Sequence, residues 1–87
     1  MRGPFIPRYT DKNRNILVNI DDRKVSIFDL RNNTYHESTL YKNHLNEFFY
    51  YRYGGKQTMY NKRDLIQLSL EEAFNYGNQV QGLWWKK

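Results

Sequence analysis

Two runs of β-forming residues stand in the first third of the chain. Residues 16–20 are rich in β-branched side chains, and residues 24–30 resume the pattern after the turn-forming pair Asp21 and Asp22. These two runs predict a β-hairpin. Residues 34–37 follow a second polar turn and predict a third short strand, which would make an antiparallel meander.

A helical spacing of apolar residues follows the meander. Tyr41, Leu45, Phe48 and Phe49 recur at the intervals that place side chains on one face of an α-helix. A Ser-Thr pair just before them supplies an N-cap for the first turn. The spacing therefore predicts a helix over residues 41–52 that ends before a pair of glycines.

The glycine pair, Gly54 and Gly55, has two interpretations. A basic segment over residues 56–63 follows it, so that a helix, a tight turn and a second helix give the outline of a helix-turn-helix. The alternative is a β-hairpin, because residues 48–53 and 56–61 contain many β-formers and flank a two-residue turn. The N-cap and the apolar spacing favour the helical interpretation.

A last helix is predicted from a capping box. Ser69 and Glu72 are placed so that each side chain satisfies an amide at a helix start. Gly77 stands where a left-handed residue ends a helix. The alternative is one continuous helix over residues 61–76.

These elements predict an α+β fold, in which an N-terminal β-hairpin or three-strand antiparallel meander precedes two or three helices. Eighty-seven residues build one core. Residues 1–14 carry two prolines among basic residues and predict an extended basic arm. Residues 15–77 form the single domain, and residues 78–87 form an aromatic and basic tail.

The composition limits the kinds of site that this chain can contain. It has no cysteine, so a disulfide framework, a thiolate zinc site and a cysteine nucleophile are excluded. No apolar run reaches the roughly 20 residues of a membrane span, and the N-terminus lacks the apolar stretch of a secretion signal. We therefore expect a cytoplasmic protein, inside a cell or a host cell, without a membrane partner.

The charge favours a polyanionic partner. The formal net charge is +5, and residues 50–63 contain four cations and no acid. Lysine and arginine there would contact phosphate, the amides would suit adenine, and Tyr50, Tyr51 and Tyr60 would stack on unpaired bases, so RNA stays open as a target. The candidate nucleic-acid-binding residues are Arg52, Lys56, Gln57, Thr58, Tyr60, Asn61, Lys62 and Arg63.

Three segments of the chain together resemble the small strand-plus-helix-turn-helix modules of phage proteins and of homing-endonuclease-associated domains. These segments are residues 24–38, the Tyr-Gly turn with residues 56–63, and residues 68–74. In that family the second helix reads DNA, which the resemblance places on Gln57, Thr58, Asn61 and Lys62. It implies a small non-catalytic nucleic-acid-binding protein, a phage or mobile-element accessory or regulatory protein, with DNA favoured over RNA.

The alternative function is a protein-binding module, such as a phage-encoded inhibitor of a host enzyme or a small subunit of a larger assembly. Its support is the aromatic content of 17%, because tyrosine, tryptophan and arginine dominate interface hot spots. The candidate docking residues lie in the arm and the tail: Phe5, Arg8, Tyr9, Trp84 and Trp85.

Catalysis is not expected. Two histidines, His36 and His44, stand apart from any set of acids with metal-ligand spacing. The sequence around Gly54 and Gly55 lacks the glycine spacing and the Lys-Ser/Thr pair of a phosphate loop. We predict no catalytic residue, no metal and no cofactor.

Overall fold

The computed structural model describes residues 6–85, with side chains described for residues 6–80. Within that range, eight short strands precede a single α-helix. The strands are β1 (Tyr9–Thr10), β2 (Ile16–Asp21), β3 (Lys24–Asp29), β4 (Thr34–Thr39), β5 (Tyr41–Lys42), β6 (Glu47–Tyr53), β7 (Lys56–Asn61) and β8 (Ile66–Gln67). A 3-10 turn, Lys62–Asp64, joins β7 to β8, and the helix α1 spans Leu70–Trp85.

The strands form two antiparallel sheets. The larger sheet has the order β4-β3-β2-β1-β8, and the smaller one has the order β5-β6-β7. Helix α1 packs on one face of the larger sheet, against Leu17 and Phe28. The smaller sheet packs on the other face, where Phe49 meets Val18 and Ile27. The molecule therefore has three layers.

The larger sheet is the middle layer, and this position explains the apolar run in β2. Ile16, Leu17 and Val18 are all fully buried although successive side chains of a strand point to opposite faces. Both faces of the larger sheet are covered, so alternation with polar residues is not required there. The strands predicted over residues 16–20, 24–30 and 34–37 are observed as β2, β3 and β4.

The predicted fold class is wrong, because the segment interpreted as a helix-turn-helix is a β-hairpin. Residues 47–53 and 56–61 pair as β6 and β7, with Tyr53 opposite Lys56 across Gly54 and Gly55. The two glycines have φ angles of 60° and 81°. A two-residue turn with positive φ at both positions matches the right-handed twist of the strands, and glycine adopts it without strain.

The helical spacing of residues 41–49 arises by coincidence. In the strands Phe48 and Phe49 point to opposite faces, and Phe49 is fully buried while Leu45 is 74% exposed. The period of two in β6 decides the structure because it places Phe49 and Tyr51 together on the core. Packing against the larger sheet outweighs the local N-cap signal.

Helix α1 begins at the predicted capping box but does not end where expected. The Ser69 hydroxyl accepts from the Glu72 amide at 3.2 Å, and the Glu72 carboxylate accepts from the Ser69 amide at 3.3 Å. The helix continues through Gly77, which is buried on the same side as Ala73 and Val80. Gly77 therefore lies in the helix interior.

In the described range no helix is long and apolar enough to cross a bilayer.

Candidate functional site

The face of the smaller sheet that points away from the core carries an unusual set of side chains. Along β6, Phe49 and Tyr51 point to the core, so Phe48, Tyr50 and Arg52 point outward. The strand registers add their partners on β5 and β7. We call this surface the outer face; it consists of Tyr41, Phe48, Tyr50, Arg52, Gln57, Met59 and Asn61.

Three aromatic rings of the outer face contact one another. The rings of Tyr41 and Phe48 stack with centroids 5.7 Å apart, and Tyr50 packs edge-on against both, at 5.9 Å and 5.7 Å. These distances lie in the range preferred by aromatic pairs. Tyr41 is nevertheless 47% exposed, and Tyr50 is 39% exposed. The cluster is therefore ordered by its own contacts and remains accessible.

Met59 widens the apolar part of the outer face. It lies directly opposite Tyr50 in the β6–β7 register and is 47% exposed. Met59 and the exposed rings of Tyr41 and Tyr50 belong to one apolar patch and are not isolated exposed residues. Met59 therefore extends the apolar surface of the aromatic cluster onto β7.

The polar end of the outer face lies near the glycine turn. Arg52 donates from Nη1 to the Gly55 carbonyl oxygen at 3.2 Å and from Nη2 to Gln57 Oε1 at 3.0 Å. These bonds fix the guanidinium beside the aromatic cluster without neutralising its charge. None of the residues that make up the outer face is acidic, so the surface combines stacking rings, amides and one fixed cation.

Further cations flank the outer face. Lys56 is exposed at the hairpin turn, and Arg63 is exposed in the 3-10 turn after β7. Lys62 forms an ion pair with Glu47, with Nζ 3.3 Å from Oε1. Lys62 is therefore partly neutralised by the protein itself, whereas Arg52 is held by neutral oxygens.

The structure separates the residues that the helix-turn-helix interpretation had grouped together. Gln57, Thr58, Asn61 and Lys62 do not lie on a recognition helix, because the first three belong to β7 and Lys62 begins the 3-10 turn. Gln57 and Asn61 share the outer face, while Thr58 is on the side of Tyr51. This correction follows because successive side chains of a strand point to opposite faces of the sheet.

Two of the three tyrosines proposed for base stacking are unavailable. The Tyr60 ring stacks on Phe49 at 5.4 Å on the core side, and burial raises the pKa of its hydroxyl. Tyr51 is 5% exposed and its hydroxyl is bound to Asp29. Tyr50 alone of the three points outward. Sequence reasoning missed Tyr41 and Phe48, because the helical spacing assigned them to the core.

A buried carboxylate attaches the hairpin to the larger sheet. Asp29 is fully buried and accepts from Arg31 at 2.8 Å and 3.0 Å and from the Tyr51 hydroxyl at 2.6 Å. Burial alone would raise the pKa of Asp29, but the hydrogen bonds from Arg31 and Tyr51 hold that pKa below its usual value. Arg31 also lies over the Tyr53 ring, with Cζ 3.6 Å from the centroid.

The same contacts change the pKa of the Tyr51 hydroxyl. Burial, together with the hydrogen bond to Asp29, raises the pKa of Tyr51 well above its usual value. Asp29 and Tyr51 lie 22 residues apart in sequence, so the cluster joins β3 to β6. Its structural effect is to fix β6, and therefore the outer face, relative to the larger sheet.

Of the proposed docking residues of the arm and the tail, Arg8 and Tyr9 have side chains that the structure describes. Tyr9 lies in β1, paired with β2 and β8, and packs beside the core of the smaller sheet. Arg8 is exposed, while its backbone bonds to Val18 and Leu68. Phe5 and the side chains of Trp84 and Trp85 lie outside what the structure describes.

Comparisons of the chain with known protein families, with curated proteins and with solved structures found no match. They give the resemblance to phage modules no support. Among the residues that the structure describes, no three histidine, aspartate or glutamate side chains come together as a metal site would require.

Proposed function

We propose that the protein binds a single strand of nucleic acid across the outer face and has no catalytic role. The supporting observation is the exposed cluster of Tyr41, Phe48 and Tyr50, flanked by a fixed arginine and without an acidic neighbour on that face. Sheet surfaces with exposed aromatic rings stack unpaired bases, and nearby cations contact the phosphates.

The dimensions of the outer face suit a few unpaired bases. Alternate residues of a strand stand about 7 Å apart, and neighbouring strands lie about 4.8 Å apart. The patch from Tyr41 to Met59 therefore measures roughly 7 by 10 Å, which accommodates about two stacked bases. The segment that was interpreted as a reading helix is the strand β7, so it offers no α-helix to the major groove of a duplex. We therefore propose an unpaired strand, of DNA or RNA, as the partner.

A nucleic-acid partner implies an intracellular site of action. We include a cytoplasmic location in the proposal, and we keep a phage or mobile-element accessory role as its biological setting. The net charge of +5 supports such a partner because it raises the local concentration of a polyanion.

The test is fluorescence anisotropy with a labelled single-stranded oligothymidylate and a Tyr50→Ala variant. Loss of a stacked base costs about 1–3 kcal/mol, so the variant should weaken binding about tenfold. Tyr53→Ala is the matched control, because Tyr53 lies on the same strand, is also 39% exposed and points to the opposite side. The wild type should bind at low salt, and the control should keep that affinity.

Three outcomes would count against the proposal. Absence of binding at low ionic strength would remove it, and so would equal losses in Tyr50→Ala and Tyr53→Ala, since an equal loss would point to stability rather than to stacking. Preference for a duplex of the same sequence would contradict the choice of an unpaired strand.

Protein binding is the second candidate, and a different surface favours it. Ile66, Leu70 and Phe74 are 41%, 80% and 56% exposed around the start of α1. Exposed apolar groups of this size fit an interface better than a phosphate backbone. If oligothymidylate does not bind, this patch becomes the better site, and Leu70→Ser is the variant with which to examine it.

A further inference from the structure

A notch opens beside the outer face, between β4 and β6. These two strands belong to different sheets, and the Ser38 hydroxyl donates across the gap to the Tyr50 carbonyl oxygen at 2.9 Å. The resulting cavity measures about 230 Å³, and His36, Ser38, Tyr50, Arg52 and Gln57 are among the residues that line it. A water molecule occupies about 30 Å³ of liquid, so the notch holds the volume of roughly eight waters, enough for one planar ring.

The walls of the notch offer hydrogen-bonding groups of both kinds. The Ser38 hydroxyl donates its hydrogen bond to the Tyr50 carbonyl oxygen, so the lone pairs of its oxygen can act as acceptors. Gln57 accepts from Arg52 through Oε1, which leaves the two N–H groups of its amide as donors. The edge of every nucleobase carries donors and acceptors side by side, so the notch is complementary to such an edge.

Two planar groups and one acid complete the lining of the notch. The acid is Glu37, whose carboxylate accepts from the Tyr35 hydroxyl at 2.9 Å and pairs with Lys24 at 2.9 Å. The His36 ring packs edge-on against Tyr51 with centroids 5.1 Å apart, and His36 Nε2 lies 2.9 Å from Thr34 Oγ1. The guanidinium of Arg52 is held by its two neutral acceptors. Planar groups of this kind stack on bases. Tyr50 and Arg52 belong both to the notch and to the outer face, so the two surfaces are continuous.

We infer that the notch accepts one nucleobase turned out of the strand that lies on the outer face, with Ser38 and Gln57 bonding its edge. This inference rests on the proposed function, because the strand delivers the base. The outer face would supply stacking, which every base provides, while the notch would add contacts to the edge of one base. Recognition at this position would therefore depend on the chemistry of that base.

The experiment combines a protein variant with thymidine oligonucleotides of about three nucleotides, each of which lacks one base. An oligonucleotide of this length fills the proposed site and cannot shift along it. Gln57→Ala removes the amide donors from an exposed strand position, and it should weaken binding of the intact oligonucleotide about threefold to tenfold. One of these oligonucleotides lacks the base that would enter the notch, and the wild type should bind it more weakly than the intact oligonucleotide. Gln57→Ala should then cause no further loss of affinity for that oligonucleotide. Gln67→Ala, exposed on β8, is the control and should bind every oligonucleotide like the wild type.

The outcomes separate the two proposals. If the oligonucleotides bind and Gln57→Ala costs the same factor whichever base is missing, the notch takes no base, while stacking on the outer face stands. If Gln57→Ala leaves the affinity of the intact oligonucleotide unchanged, the notch proposal is overturned in the same way. If no oligonucleotide binds the wild type, both proposals fail.

Discussion

At the scale of single residues, the decisive contacts join positions that are distant in sequence. Asp29 is fully buried in β3, and its partner Tyr51 lies on another sheet. An acid at the end of a strand is ordinarily a turn residue, so the sequence alone gave no sign of this pairing. Arg31 completes the cluster and also covers the Tyr53 ring.

The Asp29 cluster predicts an acid-dependent stability. The pKa of the Asp29 carboxyl is lower in the folded protein than in the unfolded chain. The stabilisation from its ionised form is therefore complete above the unfolded pKa of about 4, and it is lost as the pH falls through the folded pKa. Asp29→Asn should lower the free energy of unfolding by about 3 kcal/mol near neutral pH, because it leaves a poorly paired arginine. Urea titrations at neutral and at acid pH measure the difference from the wild type, which should shrink on acidification.

Asp21→Asn is the matched control for this prediction, since Asp21 is an exposed aspartate on the neighbouring strand. It should change the free energy of unfolding by less than about 0.5 kcal/mol. A constant difference between Asp29→Asn and the wild type across the acid range would contradict the lowered pKa.

At the scale of elements, the glycine turn decides between the two interpretations of residues 41–63. A Cβ added at Gly54 or Gly55 would meet no atom within 4 Å. Space is therefore not limiting there, and the positive φ angles alone disfavour other residues. Asparagine tolerates this conformation better than alanine does, because its side chain bonds to the local backbone.

The turn yields a graded prediction at one position. Gly54→Ala should lower the free energy of unfolding by about 1 kcal/mol, and Gly54→Asn should cost clearly less. Urea denaturation of both variants measures the order. Equal stability of the alanine variant and the wild type would mean that position 54 does not require a positive φ angle.

The elements also show what local patterns could predict. Strands β2, β3 and β4 follow from β-branched runs between polar turns, and the start of α1 follows from the Ser69 and Glu72 pair. The hairpin was recognisable as the alternative at Gly54 and Gly55. Its partner sheet was not, because packing between layers depends on contacts that no local window contains.

The candidate site was partly predictable for the same reason. Arg52, Gln57 and Asn61 were named from their chemistry and do share the outer face. Tyr41 and Phe48 were assigned to a helical core, since a spacing of seven fits a helix as well as two strands joined by a loop. Thr58 and Tyr60 were named and point to the other side. Alternation in β7 separates them from their neighbours.

At the scale of the whole molecule, the two cores share their central strands. Leu17 packs under α1, while its neighbours Ile16 and Val18 pack under the smaller sheet. A side chain lost from one core therefore loosens strands that the other core requires. The three layers should unfold together, as single domains of this size usually do.

Val80→Ala tests this coupling from the far end of the helix. Val80 is 1% exposed, and its truncation should lower the free energy of unfolding by about 2 kcal/mol. Far-ultraviolet circular dichroism reports the backbone, and near-ultraviolet circular dichroism reports the packing of the aromatic side chains. Both transitions should shift to the same lower urea concentration. Two separate transitions would show that the layers are independent.

The pairing of β1 with β8 has a consequence for synthesis on the ribosome. Tyr9 lies opposite Gln67, and Thr10 lies opposite Ile66, so the first strand can pair with its second neighbour only after residue 67 has been added to the chain. Contacts between such remote segments slow folding and leave an open strand edge in the meantime. The nascent chain must therefore wait, with β1 unpaired on one side, until translation has passed residue 67 and that segment has cleared the exit tunnel.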